Sequence, residues 1–103
     1  MFKICVYVPE KSVETVKQAL FDAGAGRIGN YDSCCWQTEG TGQFRPLAGS
    51  NPAIGSQGKV EFVREVKIEL VCEDELVAGA VQALRDSHPY EEPAFDIWQL
   101  TEV

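Results

Sequence analysis

Histidine occurs only once in this 103-residue sequence, and no two cysteines stand in a CxxC arrangement. The first scarcity excludes a histidine-rich metal centre, and the second removes the common zinc ligand spacing. No apolar run approaches the roughly 18 residues that a membrane-spanning helix needs. The opening residues, Met1-Phe2-Lys3-Ile4-Cys5, enter a strand-like alternation at once and lack the basic-then-apolar layout of a secretory signal. The expected location is therefore cytoplasmic, with no membrane partner. Basic side chains are scarce in the second half: residues 61–103 carry three against eleven acidic ones, and residues 1–60 six against five. The formal net charge is −7. An acidic surface of this kind repels phosphate backbones, so nucleic acid is not an expected partner.

What is present describes a globular domain. Hydrophobic residues make up 45% of the chain and aromatic ones 10%, enough for one core and too little chain for two, so residues 1–103 are expected to form a single domain. A disulfide framework is not expected. Cys5 and Cys72 lie inside apolar, strand-like runs, and the adjacent Cys34 and Cys35 are poorly placed to bridge each other.

Hydrophobic periodicity orders the elements. Phe2, Ile4, Val6 and Val8 alternate with Lys3, Cys5 and Tyr7, a strand pattern closed by Pro9. From Ser12 the apolar spacing turns helical through Val13, Val16, Leu20 and Ala23, and Gly24 stops it. Asn30 to Glu39 reads as a second strand. Gly40 to Gly58 holds five glycines and two prolines and reads as a long loop, with Gln43-Phe44-Arg45 as a short hairpin arm. Lys59 to Cys72 resumes strand character, with a break expected near Arg64-Glu65. Glu73, Asp74 and Glu75 open a second helix whose buried stripe is Leu76, Val77, Ala80, Val81 and Leu84. His88-Pro89 ends it, and Pro93 to Leu100 supplies the last strand.

The order β-α-β-β-α-β predicts an α+β, ferredoxin-like sandwich. Right-handed crossovers put both helices on one face of a four-stranded antiparallel sheet, with the first and third strands central. The other face, with Cys5, Tyr7, Val71 and Trp98, is then bare and too apolar for water alone. Packing against further copies of the chain, as a dimer or trimer, is the expected remedy.

Four stretches attract chemistry. Gly24-Ala25-Gly26-Arg27-Ile28-Gly29 matches the dinucleotide fingerprint by letter, but it follows a helix and enters a strand, the reverse of what phosphate binding requires. It reads instead as a helix cap with Arg27 free for an anion or carboxylate. In the long loop, Gly40, Thr41, Gly42, Arg45 and Asn51 are candidate ligand-binding residues, with backbone amides able to converge on an anion. The alternative there is an arm used in subunit contacts. His88-Pro89-Tyr90-Glu91-Glu92-Pro93 gathers the one histidine, a phenol and two carboxylates. His88, Glu91 and Glu92 are candidate metal ligands, joined by Cys34 or Cys35, and a divalent ion is the candidate cofactor. The same residues suit an acid–base pair, or only a rigid, proline-bounded turn. A nucleophilic Cys34 or Cys35 would need His88 beside it.

These stretches also carry a resemblance. Gly24 to Tyr31, Glu39 to Leu47, Gly49 to Pro52 and His88 to Asp96 together resemble the inserted domain of the Nif-three-like proteins, a domain similar in fold to the PII signalling proteins and the CutA divalent-cation tolerance proteins. The resemblance implies a ferredoxin-like fold and trimeric or other homo-oligomeric packing through the sheet. It does not imply the hydrolase label often given to that family, whose dinuclear metal ligands lie in a flanking core domain. The expected function is a non-enzymatic, oligomeric binding or regulatory module associated with a small ligand or divalent metal ion. The alternatives are a small hydrolase-like enzyme using His88 with Glu91 or Glu92, and a pure protein-interaction domain.

Overall fold

A computed structural model describes all 103 residues. Strand β1 (Phe2–Pro9) leads through a 3-10 turn into helix α1 (Val13–Asp22); β2 (Trp36–Phe44) and β3 (Glu61–Cys72) follow; a second 3-10 turn opens helix α2 (Val77–Ser87), and β4 (Phe95–Gln99) closes the series. The strands form one antiparallel sheet in the order β2-β3-β1-β4, so the first and third strands are central. This is the expected ferredoxin-like α+β arrangement.

The register assigns each side chain a face. Ile4 lies opposite Leu70 and Ile97, Val6 opposite Ile68 and Phe95, and Val8 opposite Val66. These residues join Val13, Val16 and Leu20 of α1 and Ala80 and Leu84 of α2 in one core, so both helices cover the same face. Each fully buried Leu or Ile there contributes roughly 1.5–3 kcal/mol. Of the expected α2 stripe, Ala80 and Leu84 are buried, Val77 packs against the core from a half-buried position, and Leu76 is exposed. Helix α1 ends in a Schellman motif: Ala25 N–H donates to Leu20 O, Gly24 N–H donates to Phe21 O, and Gly24 takes φ +99°.

Three boundaries differ from expectation. The second strand is Trp36–Phe44, and not Asn30 to Glu39. Ile28 and Tyr31 instead exchange backbone hydrogen bonds across a tight turn, with Gly29 at φ +56°. Gly40, Thr41 and Gly42 therefore belong to a strand, and the irregular segment begins after Phe44. β3 runs through Arg64 and Glu65 without a break, because β2 pairs with it along its whole first half.

β3 outruns its inner neighbour. Pairing with β1 stops at Pro9 opposite Glu65, and beyond it Glu61 to Arg64 have β2 as their sole partner. The result is a two-stranded arm on a molecule 46 Å long and about 25 Å across.

Candidate functional site

The site is built where β4 runs out. In an antiparallel ladder a residue's N–H and C=O point to the same side. Tyr7 N–H donates to Ala94 O at 3.1 Å, just past the last β1–β4 pair, so its carbonyl faces that same edge. His88 Nε2 lies 2.8 Å from the carbonyl and must donate to it. Its Nδ1 accepts the Tyr90 backbone N–H at 3.1 Å. Both nitrogens are thus committed, the ring is the neutral Nε2–H tautomer, and only 6% of the residue is exposed. Burial pushes the imidazole below its ordinary value, opposed by the Tyr7 carbonyl and the Glu65 carboxylate.

This anchored turn aims Tyr90 at the root of the arm. Its hydroxyl donates to Glu65 Oε2 at 3.0 Å, and its ring stands 5.8 Å from that of Phe44. Burial, then the bond to Glu65 and that residue's charge, raise the phenol above the usual tyrosine range, so it stays protonated. The segment after β2 folds back onto the same turn: Gly58 N–H donates to Pro46 O at 2.7 Å, and Asn51 N–H donates to Glu91 Oε1 at 3.3 Å. Between loop, arm and turn lies a pocket of about 240 Å³. Phe44, Pro46, Pro52 and Ile54 give it apolar walls, and Glu65, Glu91 and Glu92 bring three carboxylates.

The candidate residues divide between the two ends of the molecule. Glu91 and Glu92 line the pocket, Asn51 reaches it only through its backbone bond to Glu91, and Gly40, Thr41 and Gly42 line an adjoining groove with Tyr7, Glu65 and Lys67. Arg45 is exposed just beyond β2. Arg27 follows Gly26, whose N–H donates to Val71 O at 2.8 Å. Val71 is six residues along β3 from Glu65, a separation of about 20 Å, so Arg27 belongs to the opposite end. Cys34 is tied there as well, its N–H donating to Gly26 O at 2.8 Å, and Cys35 packs against the core. All four cysteines are free thiols. No three His, Cys, Asp or Glu side chains converge closely enough to hold a metal ion. The amide of Asn51, read as an anion donor, meets an anion of the chain itself, Glu91. Glu65 is the residue that sequence reasoning missed. It sits in a strand of alternating charge, and only its register opposite Gly40 and Pro9 marks it as the point where arm and sheet join.

No family model matches the chain. Its curated relatives include the GTP cyclohydrolase 1 type 2 homolog of Halalkalibacterium halodurans, 47% identical over 100 residues, a match covering 97% of this chain and 27% of that protein. The protein of the same description from Mycobacterium tuberculosis is 50% identical over 98 residues, covering 95% of this chain and 26% of its own length. The chain thus spans about a quarter of the length of the curated relatives it matches. Among solved structures, a Bacillus cereus protein related to NIF3 superposes with a TM-score of 0.84 at 42% identity, covering 98% of this chain and 26% of that one. CutA1 from Pyrococcus horikoshii superposes with a TM-score of 0.71 at 20% identity, covering 100% of this chain and 86% of that one, which is a likeness of fold.

Proposed function

Since this chain is a homologue of one domain-sized part of the Nif-three-like proteins, we propose that it is a non-enzymatic, homo-oligomeric binding module whose ligand sits in the pocket beside Glu65. The observation that carries this reading is the uncovered sheet face. Trp36 and Trp98 stand there 69% and 45% exposed, on the same side as Tyr7 and Val71. Indoles on a bare sheet face are a costly surface for a monomer and a suitable one for an interface. Glu65 and Phe44 are on that face too, so an interface there would bring the pocket to a subunit boundary. A hydrolase-like reading needs His88 as acid or base, and both its nitrogens are already occupied by backbone groups. A metal-associated version needs donors from more than one copy, because none converge within one.

Native mass spectrometry with elemental analysis tests the reading. A metal-free or metal-bearing oligomer that dissociates in a Trp36→Glu/Trp98→Glu variant supports it. A monomer at micromolar concentration defeats it.

A further inference from the structure

The pocket beside Glu65 carries more charge than its surroundings neutralise. The chain's ion pairs join Asp74, Glu102, Glu14, Glu10, Glu39 and Glu69 to cations, but none reaches Glu65, Glu91 or Glu92. No basic side chain lines the cavity. Two of the three carboxylates are nevertheless held in place by one oxygen each: Tyr90 fixes Glu65 and the Asn51 amide fixes Glu91, leaving each a second oxygen. The Glu65 carboxylate lies where a side chain at position 42 would project, so Gly42 makes room for it. Anionic ligands meet uncompensated negative charge here, and the half-buried Glu65 is screened by water less than the exposed Glu91 and Glu92.

The occupant's shape follows from the same walls. A bare metal ion is disfavoured, since the carboxylates are spread around the pocket and do not converge. Phe44, Pro46, Pro52 and Ile54 ask instead for apolar surface, and two of them are prolines that cost little entropy to keep in position. At about 240 Å³ the pocket falls below the range typical of drug-sized ligands. Resting on the binding-module reading, we infer that this pocket takes a small organic cation: a primary amine or guanidinium borne on a compact apolar body, its charge toward Glu65, with Glu91 and Glu92 adding to the local negative potential, and its body against Phe44, Pro52 and Ile54.

The test is an amide-resolved NMR titration of the full chain with phenethylamine hydrochloride, beside 2-phenylethanol as its uncharged counterpart. The amine is expected to shift the Ile54, Tyr90 and Glu91 amides saturably, about tenfold more tightly than the alcohol, and less tightly at high salt. A Glu65→Gln/Glu92→Gln variant is expected to lose that preference; should it fail to fold, the amine–alcohol comparison on the wild type remains decisive. Equal binding of amine and alcohol, shifts confined to another surface, or no saturable shift would each overturn the inference. Native mass spectra of the same samples separate the two readings. An amine-binding monomer keeps the pocket assignment and sinks the oligomer, whereas an oligomer indifferent to the amine does the reverse.

Discussion

His88 completes the ladder of Tyr7: its imidazole Nε2–H occupies the carbonyl that β4 would have satisfied had it run one residue pair further. The ring thereby substitutes for a strand residue and, through Nδ1, fixes the start of the turn that carries Tyr90. A buried histidine used in this way stabilises by leaving no backbone group unpaired. Replacing it with alanine orphans the Tyr7 carbonyl and the Tyr90 N–H together. At about 1–3 kcal/mol for each buried group left unsatisfied, His88→Ala is expected to lower unfolding free energy by about 2–6 kcal/mol in urea titrations. A variant as stable as the wild type would show that the ring is dispensable.

Stability is also expected to depend on pH through this residue. Burial lowers the folded-state pKa of His88, so between that lowered value and about 6.5 the unfolded chain binds the proton more readily. The stabilisation is therefore complete above about pH 6.5 and declines as pH falls below it. Protonated Nδ1 would point its hydrogen at the Tyr90 N–H, while Tyr7 and Glu65 on the adjoining strands favour the charged ring only in part. Urea midpoints measured across this interval should slope in the wild type and flatten in His88→Gln. A wild-type profile without slope there would contradict the lowered folded-state pKa of His88.

Two glycines should respond in opposite directions. Gly26 has φ +78°, and a Cβ there would stand 2.7 Å from the Cys34 carbonyl oxygen and 3.0 Å from the Phe21 ring. Gly26→Ala combines left-handed strain with a backbone clash and is expected to cost about 1–3 kcal/mol. Gly40 lies in β2 with nothing within 4 Å of its would-be Cβ. Gly40→Ala should be neutral or stabilising by about 0.5 kcal/mol, because it restricts the unfolded chain. Thermal midpoints of the pair decide the point, and a reversed ranking would refute it.

The thiols should separate into two classes. Cys5 and Cys72 are 1% and 2% exposed, and burial raises both above the ordinary thiol range. Cys34 and Cys35 are half-buried. A chromogenic disulfide reagent should modify Cys34 and Cys35 in the native protein and reach Cys5 and Cys72 only after denaturation. Peptide mapping identifies each class; four equally fast native thiols would contradict the packing.

Elements that face the core were legible because burial on one side writes a period into the sequence: Ile4, Val6 and Val8 for β1, and Val13, Val16 and Leu20 for α1. β2 was not, because Trp36-Gln37-Thr38-Glu39-Gly40-Thr41-Gly42 is exposed throughout except for a partly covered Gly42. A strand held only by pairing with β3 has no apolar alternation to reveal it, and its glycines mimic a loop. The candidate site was legible in its parts. The His88–Pro93 turn and Asn51 stood out by composition, yet their meeting depends on a fold-back whose geometry no local pattern encodes. Glu65 was invisible for a further reason: its role comes from Tyr90, 25 residues away in the chain.

The arm formed by Glu61–Arg64 and its β2 partners lacks the third strand that an independent sheet needs. Its order is therefore borrowed from the Tyr90–Glu65 bond at its base and the Phe44–Tyr90 contact toward its far end. Amide protons there should exchange with solvent through a local opening well below the cost of global unfolding. Anything that settles into the pocket then acts as a splint, slowing exchange along the arm while leaving β1 untouched. The arm becomes a built-in gauge of whether the pocket is full.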